Sequence, residues 1–127
     1  MTPQEQAIVH QFHELYYDGP ERQGPIQTRT FWRGVECLKC PLDLWIYQEI
    51  IHEISPDLIV ETGTHMGGSA LFLAHMLDIG GKGELVSVDI RPLQGRPSHP
   101  RIRYVSGSSA DPALVASLFQ DRPANER

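Results

Sequence analysis

No stretch of this 127-residue chain approaches the roughly 20 consecutive apolar residues that a membrane-spanning helix needs. The amino terminus, Met-Thr-Pro-Gln-Glu-Gln, lacks the basic and apolar regions of a secretory signal peptide. Basic residues are also scarce: 11 lysines and arginines against 16 acids give a formal net charge of −5, which argues against a general nucleic-acid-binding surface. These absences predict a cytoplasmic protein of one domain at most.

Cysteine is nearly absent as well. The only two cysteines, Cys37 and Cys40, form a single C-x-x-C. A structural zinc site needs about four ligands, usually as a second pair, and the chain has no second pair. A redox pair would open a helix just after a strand. Pro41 follows Cys40, but no strand pattern precedes Cys37. We therefore expect two reduced, partly buried thiols and no metal site.

What the sequence does contain is a strand, a glycine-bearing turn and a helix in direct succession. The apolar run 58–60 leads into Glu61, the glycines Gly63, Gly67 and Gly68 follow, and a helical apolar pattern begins at once. Glycines let the backbone come close to a ligand, and a helix amino terminus offers free N–H groups. This arrangement is typical of the small-ligand cradle of an α/β domain, although such a turn can also bind nothing.

The spacing of the glycines indicates which ligand the turn would take. A dinucleotide fingerprint reads G-x-G-x-x-G, whereas here the second glycine, Gly67, comes four positions after Gly63. Glu61 precedes the first glycine by two positions. The pattern E-x-G-x-x-x-G after a strand is typical of S-adenosylmethionine (SAM) binding, with the carboxylate near the cationic amino group of the methionine part.

A second acid, Asp89, ends the next apolar strand pattern, Glu84-Leu-Val-Ser-Val-Asp-Ile. It lies about 20 residues past the glycine turn, where a doubly wound fold places the acid that accepts hydrogen bonds from ribose hydroxyls. Asp89 could instead be an ordinary turn residue at a strand end, since aspartate favours turns.

The remaining patterns predict an α/β fold with a Rossmann-like parallel sheet and flanking helices. Residues 3–17 form an amphipathic helix that Gly19-Pro20 ends, and the polar loop 21–30 contains Gly24-Pro25. That amino-terminal segment would either cover the site or pack on the sheet. Further helices are predicted at 41–54, 69–78 and 112–119, and a third strand at 102–106. The helix at 41–54 shows an apolar stripe that we expect to be buried: Leu42, Trp45, Ile46, Ile50 and Ile54.

Several blocks of the sequence appear in the order of a known family. They are Leu38-Lys-Cys-Pro-Leu-Asp-Leu-Trp, Tyr47-Gln-Glu-Ile-Ile, Pro56-Asp-Leu-Ile-Val-Glu-Thr-Gly-Thr, Gly67-Gly-Ser-Ala-Leu-Phe-Leu-Ala, Val88-Asp-Ile, and His99-Pro-Arg-Ile with Gly107-Ser-Ser. Over roughly residues 32–119 the chain resembles the cephalosporin hydroxylase / rhamnosyl O-methyltransferase family. The resemblance implies a class I SAM-dependent O-methyltransferase that acts on hydroxyls of sugars, glycolipids or antibiotic precursors, in lipid biosynthesis for example. It also implies a bound divalent metal, Mg, in full-length members.

The resemblance implies roles for particular residues. Glu61, Gly63 and Gly67 would lie against the methionine part of SAM, Asp89 would hold the ribose, and the turn after the third strand would lie beside the adenine. The residues expected to bind the cofactor are Glu61, Gly63, Thr64, Gly67, Gly68, Ser69, Asp89, Ser108 and Ser109. No catalytic residue is predicted. His65 and His99 are the candidate bases near the site, and the arginines that could meet an anionic acceptor are Arg91, Arg96, Arg101 and Arg103.

The chain also departs from the family pattern. The resemblance implies a sheet of order 3-2-1-4-5, in which the later strands supply the metal ligands and the acceptor pocket. Here one helix and a polar tail, 121–127, follow the third strand. We expect residues 1–31 to be an amino-terminal helix and loop, and residues 32–127 to be the SAM-binding half of a methyltransferase domain that is truncated after its third strand. Such a half would be a fragment, or a homo-oligomer that pairs the open edge of its first sheet strand.

Two other functions remain open at this stage. The chain could be a non-catalytic SAM- or nucleotide-binding module that associates with another chain. It could also be a fragment of an NAD-linked oxidoreductase, although the glycine spacing argues against this.

Overall fold

A computed structural model of the chain describes residues 1–18, 30–91 and 94–120. The predicted helix stop at Gly19-Pro20, the loop with Gly24-Pro25 and the polar tail 121–127 lie outside the described residues. Four α-helices are present: α1 (Pro3–His13), α2 (Pro41–Ile54), α3 (Gly68–Gly80) and α4 (Pro112–Leu118). The strands are β1 (Phe31–Trp32), β2 (Val35–Glu36), β3 (Leu58–Thr62), β4 (Glu84–Asp89) and β5 (Ile102–Ser106). No described helix is long and apolar enough to cross a membrane.

The three longer strands form one parallel sheet in the order β3-β4-β5. Leu58 is opposite Glu84 on β4, and Leu85 is opposite Ile102 on β5. Each parallel connection needs a crossover, and α3 supplies the one between β3 and β4. The predicted Rossmann-like α/β arrangement is confirmed, and the carboxyl ends of β3 and β4 lie side by side.

The sheet separates two apolar layers, because successive side chains of a strand point to opposite faces. On one face Leu85 packs with Ala70 and Leu77 of α3. On the other face Val86 and Val88 pack with Leu118 of α4. Burial on both faces explains why these strands read as continuous apolar runs in the sequence.

The first helix is present, but its apolar stripe is not buried. Helix α1 continues as one π-helical turn, Glu14–Asp18, and Ile8, Val9, Phe12 and Leu15 are all exposed. Tyr16 alone in this region is buried, and its hydroxyl donates to the Lys39 carbonyl at 3.3 Å. No residue of α1 is buried, and for the amino-terminal segment both alternatives, covering the site and packing on the sheet, stay predictions.

Helix α2 has the predicted bounds, but the wrong face was predicted to be buried. The expected stripe is exposed, with 72% of Leu42 and 67% of Trp45 accessible to solvent. Leu44 is the buried residue instead, and Ile51 and Tyr47 contact the core beside it. The helix has apolar residues on several sides, so periodicity alone did not identify the side that faces α3.

Residues 31–36 form an antiparallel hairpin of β1 and β2. Arg33 and Gly34 both have positive φ, 52° and 82°, as the two-residue hairpin turn that matches strand twist requires. Trp32 packs edge-on against Phe72 of α3, with ring centres 4.9 Å apart, and its indole N–H donates to Nδ1 of His75 at 2.9 Å. The hairpin is thereby fixed against the start of α3.

Candidate functional site

The glycine turn connects the end of β3 to the start of α3. Its first residue, Gly63, has φ +81° and donates its N–H to the Val88 carbonyl of β4 at 2.9 Å. Gly67 has φ +84° and donates to the Thr64 carbonyl at 2.8 Å. His65 between them also has positive φ, 47°. These conformations favour glycine, which explains the glycine spacing in the sequence.

The three glycines of the turn face different surroundings. A side chain at Gly63 would meet nothing within 4 Å, so space is open beside that backbone. A Cβ on Gly67 would lie 2.9 Å from Cδ of Pro97. A Cβ on Gly68 would collide with the Glu36 carbonyl of the hairpin and lie 2.8 Å from Cβ of Cys37. Gly63 therefore gives a ligand room, while Gly67 and Gly68 allow close packing of the turn.

Glu61 is buried beneath this turn, and it also lines a groove beside β3. Ser69 of α3 donates to its Oε1 at 2.5 Å, and Ser87 of β4 donates to its Oε2 at 2.6 Å. The hydroxyls of Thr64 and Ser87 are 2.7 Å apart, so the turn joins the same network. Both carboxylate oxygens thus have protein partners, and in this structure Glu61 connects β3, β4 and α3.

Ser87 completes this network, and it was not among the residues predicted for the site. It is fully buried, between Val86 and Val88. A single serine inside an otherwise apolar strand was the available signal, because a buried hydroxyl needs a partner.

Asp89 lies at the end of β4, beside the turn. Its Oδ1 accepts the Arg91 backbone N–H at 2.8 Å, and its Oδ2 accepts the His65 backbone N–H at 3.1 Å. These bonds, the Arg91 N–H first among them, and the charge of Arg96 lower the pKa of Asp89 below its usual value, despite some desolvation. Asp89 is therefore an ionised carboxylate fixed against the same turn as Gly63.

The other predicted site residues divide between the two edges of the sheet. Ser108 and Ser109 are exposed after β5, and the Ser108 hydroxyl accepts the Ala110 N–H at 3.2 Å, which is ordinary turn chemistry. His99 precedes β5, at the amino edge, and its Nε2 lies 3.0 Å from Asp78. His99, one of the two candidate bases, therefore does not lie beside the turn.

The four arginines do not form one acceptor surface either. Arg101 lies at the amino edge with His99 and donates to Asp78 at 2.6 Å. Arg96 lies at the opposite edge, beside Asp89. His65 is on the turn, where its Nε2 lies 3.1 Å from Oε1 of Glu36.

The described residues contain no group of three or more histidines, cysteines, aspartates and glutamates that could hold a metal ion. They do not fit a magnesium site. Cys37 and Cys40 are free thiols, and both are buried rather than partly buried as predicted. Burial, and then the charge of Glu61, raises the pKa of the Cys37 thiol to about 11, so it is a packing residue near the turn.

A parallel sheet with an E-x-G-x-x-x-G turn and an acid at the next strand end defines a Rossmann-like domain of the class I methyltransferase type. The family model of Rhamnosyl O-methyltransferase/CmcI matches residues 25–127, and the chain belongs to this family. A rhamnosyl O-methyltransferase of Mycobacterium leprae is 36% identical over 115 residues, which cover 88% of this chain and 48% of that protein. One from Mycobacterium bovis is 34% identical over 116 residues, covering 88% of this chain and 45% of that protein.

Solved CmcI structures show the same fold. A CmcI structure with Mg and SAM has a TM-score of 0.62 and 26% identity, covering 70% of this chain and 40% of that one. An apo CmcI structure has a TM-score of 0.64 and 25% identity, covering 73% and 42%. The chain thus spans about half the length, or less, of the relatives that it matches.

Proposed function

We propose that this chain binds SAM at the glycine turn and acts as the cofactor-binding half of an O-methyltransferase. The acceptor would be a hydroxyl of a sugar, glycolipid or antibiotic-like small molecule. The observation that carries the proposal is the open backbone at Gly63 with the fixed, ionised Asp89 beside it. Membership of a family whose curated relatives are rhamnosyl O-methyltransferases supports the reaction class.

Each predicted residue would have a physical task. Gly63, Thr64, Gly67 and Gly68 would form the turn, and open space beside Gly63 would let the methionine part approach. Asp89 would accept a hydrogen bond from a ribose hydroxyl. Ser108 and Ser109 would lie toward the adenine side, since their loop follows β5, the neighbour of β4.

The buried network adds to what we propose for Glu61. With each oxygen hydrogen-bonded to a serine, Glu61 would stabilise the turn in addition to binding the ligand's amino group. Ser69 would share that structural task at the start of α3. The contact between Glu61 and the amino group stays part of the proposal, because a carboxylate has about four acceptor positions and the two serines occupy two of them.

Methyl transfer requires further groups besides these cofactor-binding residues. Bound SAM supplies an electrophilic methyl group on a sulfonium, and the acceptor oxygen must be held in line and deprotonated. Among the described residues we assign no base for that deprotonation: His99 lies at the other edge of the sheet, and His65 is on the turn with its Nε2 against Glu36. We therefore propose that residues 32–127 bind the cofactor and that residues 1–31 flank this half. Methyl-transfer activity would need groups outside residues 32–127, including the Mg site of full-length relatives.

The open side of β3 supports a second proposal, association with another polypeptide. Among the described residues β3 pairs only with β4, yet Leu58 and Ile59 are packed on opposite faces of the sheet. This would suit a homo-oligomer, or a non-catalytic module that binds SAM in a larger assembly. A cytoplasmic location stays a prediction from composition.

Calorimetric titration of the chain with SAM, S-adenosylhomocysteine and NAD tests the leading proposal. We expect saturable binding of SAM and S-adenosylhomocysteine and none of NAD. Saturable NAD binding without SAM binding would reject the assignment in favour of a nucleotide-linked oxidoreductase. Methyl transfer to a sugar hydroxyl by this chain alone would reject the claim that further groups are required.

A further inference from the structure

Trp32 of the hairpin is held on α3 by a hydrogen bond whose direction follows from the two side chains. The indole N–H donates to Nδ1 of His75 at 2.9 Å, and the Trp32 ring packs edge-on against Phe72. An indole nitrogen can only donate, so Nδ1 of His75 carries a lone pair and the ring proton is on Nε2. The bond therefore exists only while His75 is neutral, because both nitrogens of an imidazolium are donors.

The groups that face His75 do not favour a positive charge on its ring. The ring of His99, from the loop before β5, lies edge-on to it, with ring centres 5.3 Å apart. Nδ1 of His99 accepts the Arg101 backbone N–H at 3.2 Å, so the neutral ring donates from Nε2 to Asp78 at 3.0 Å. The Arg101 guanidinium binds the other oxygen of Asp78 at 2.6 Å. A proton on His75 would therefore meet the indole N–H while this carboxylate is already engaged.

The hairpin that this bond holds lies against the glycine turn. The Glu36 carbonyl occupies the space that a side chain on Gly68 would need, at the first residue of α3. The Glu36 carboxylate lies 3.1 Å from Nε2 of His65, in the middle of the turn. Release of Trp32 would therefore loosen the packing around the start of α3 as well as the hairpin itself.

We propose that His75 is a pH-sensitive latch: a proton taken from solvent onto its Nδ1 breaks the bond to Trp32 and releases the hairpin from α3. The closed hairpin excludes this proton and the open hairpin accepts it, so acid favours the open form. With one proton taken up, the ratio of open to closed hairpin rises by at most about tenfold for each pH unit. Histidine changes its charge between about pH 5 and pH 8, which sets the range of the latch.

A second histidine contacts the hairpin, but its protonation acts in the opposite direction. Protonated His65 would pair with the Glu36 carboxylate and hold the hairpin more firmly. The accessible fractions of the two side chains are 46% and 35%, so solvent screens this pair and its contribution is small. Release of the hairpin in acid therefore distinguishes His75 from His65.

The test is nuclear magnetic resonance of the whole chain from about pH 8 to about pH 5. The chain has two tryptophans and therefore two indole N–H signals. We expect the Trp32 signal to move from a hydrogen-bonded to a solvated position as the pH falls. The signal of Trp45, which is 67% exposed, is the internal reference and should not move. Ring nitrogen shifts should place the His75 proton on Nε2 at the alkaline end.

A Trp32 signal that stays at one position, or a His75 proton on Nδ1 at the alkaline end, would overturn the latch. Simultaneous loss of all folded signals would be global acid unfolding and would overturn it too. These measurements use the unsubstituted chain, so they decide the matter even if a variant does not fold.

His75→Gln keeps an acceptor for the indole but does not titrate, so its Trp32 signal should stay at the bonded position throughout. His10→Gln, at an exposed histidine of α1, is the matched control and should leave the transition unchanged. His65→Gln should also retain the transition, and its loss in that variant would assign the proton to His65 and overturn the proposal.

Titration with SAM at both ends of the pH range separates the latch from the proposed function. SAM affinity should fall in acid by at most about tenfold for each pH unit in the unsubstituted chain, and should not fall in His75→Gln. A Trp32 signal that moves in a chain that binds no SAM would reject the proposed function and support the latch.

Discussion

At the scale of single residues, Asp89 gives a test of the proposed ribose contact. We predict that Asp89→Ala weakens SAM binding by about 1.5–3 kcal/mol, because ribose hydroxyls lose a charged acceptor. Calorimetry of the purified variant measures this. Asp78→Ala is a matched control, since Asp78 also pairs with an arginine but lies at the amino edge of the sheet. Unchanged SAM affinity in Asp89→Ala would remove the ribose role.

Cys37 gives a pH prediction. Its pKa is raised from an ordinary 9.0 to about 11, chiefly by burial, so the native thiol stays protonated where the unfolded thiol ionises. The unfolded state then binds fewer protons, and stability falls as pH rises from about 9 to about 11 and is unaffected below that window. Urea unfolding across this range should show a steeper decline for the unsubstituted chain than for Cys37→Ala. Equal declines would contradict the prediction.

The sequence predicted which residues lie at the site, but not the direction in which their side chains point. Glu61 and Asp89 follow from strand patterns and spacing, and both lie at the glycine turn. Sequence could not show that Glu61 points into the protein, because this depends on Ser87, which is distant in the chain and adjacent in space. Arg96 is held by backbone carbonyls that only the folded loop brings together.

At the scale of elements, the two ends of α3 offer a direct comparison. We predict that Gly68→Ala destabilises the protein by about 1–3 kcal/mol, because a Cβ there meets the Glu36 carbonyl and the hairpin must move. Gly80→Ala is the control: a Cβ there meets nothing within 4 Å. It should be neutral or slightly stabilising, since glycine is a poor helix residue. Urea denaturation measures both, and equal stability of the two variants would contradict the packing argument.

The first and last residues of the helices and strands were predicted better than which of their side chains are buried. The bounds of α2, and those of β5, follow from proline, glycine and apolar periodicity, which are local signals. The buried side of α2 is decided by its contact with Phe72 and Leu73 of α3, which no local pattern specifies. The short hairpin at 31–36 was missed for a related reason, since two-residue strands have too few residues to show a period of two.

At the scale of the whole molecule, the order β3-β4-β5 agrees with the order that the family resemblance implies for the first three strands of the sheet. The sequence does not show what lies against the edge of β3 that faces away from β4. There the structure has a groove of about 510 Å³ between β3 and α2. Its lining includes Ile50 and Ile54, two members of the stripe that was expected to be buried, and Val60.

We predict that a second polypeptide covers this groove, because the edge of β3 that faces away from β4 has no strand beside it among the described residues, and such an edge favours pairing with another strand. Sedimentation over a range of protein concentrations should show self-association of the unsubstituted chain. Ile54→Lys should reduce it, since the substitution places a charge in the groove. Ile79→Lys is the control, because Ile79 is 80% exposed and is not part of this lining. A strict monomer whose mass and stability are the same with and without Ile54→Lys would show that the groove is ordinary surface. Equal dissociation by both lysine variants would place the contact elsewhere.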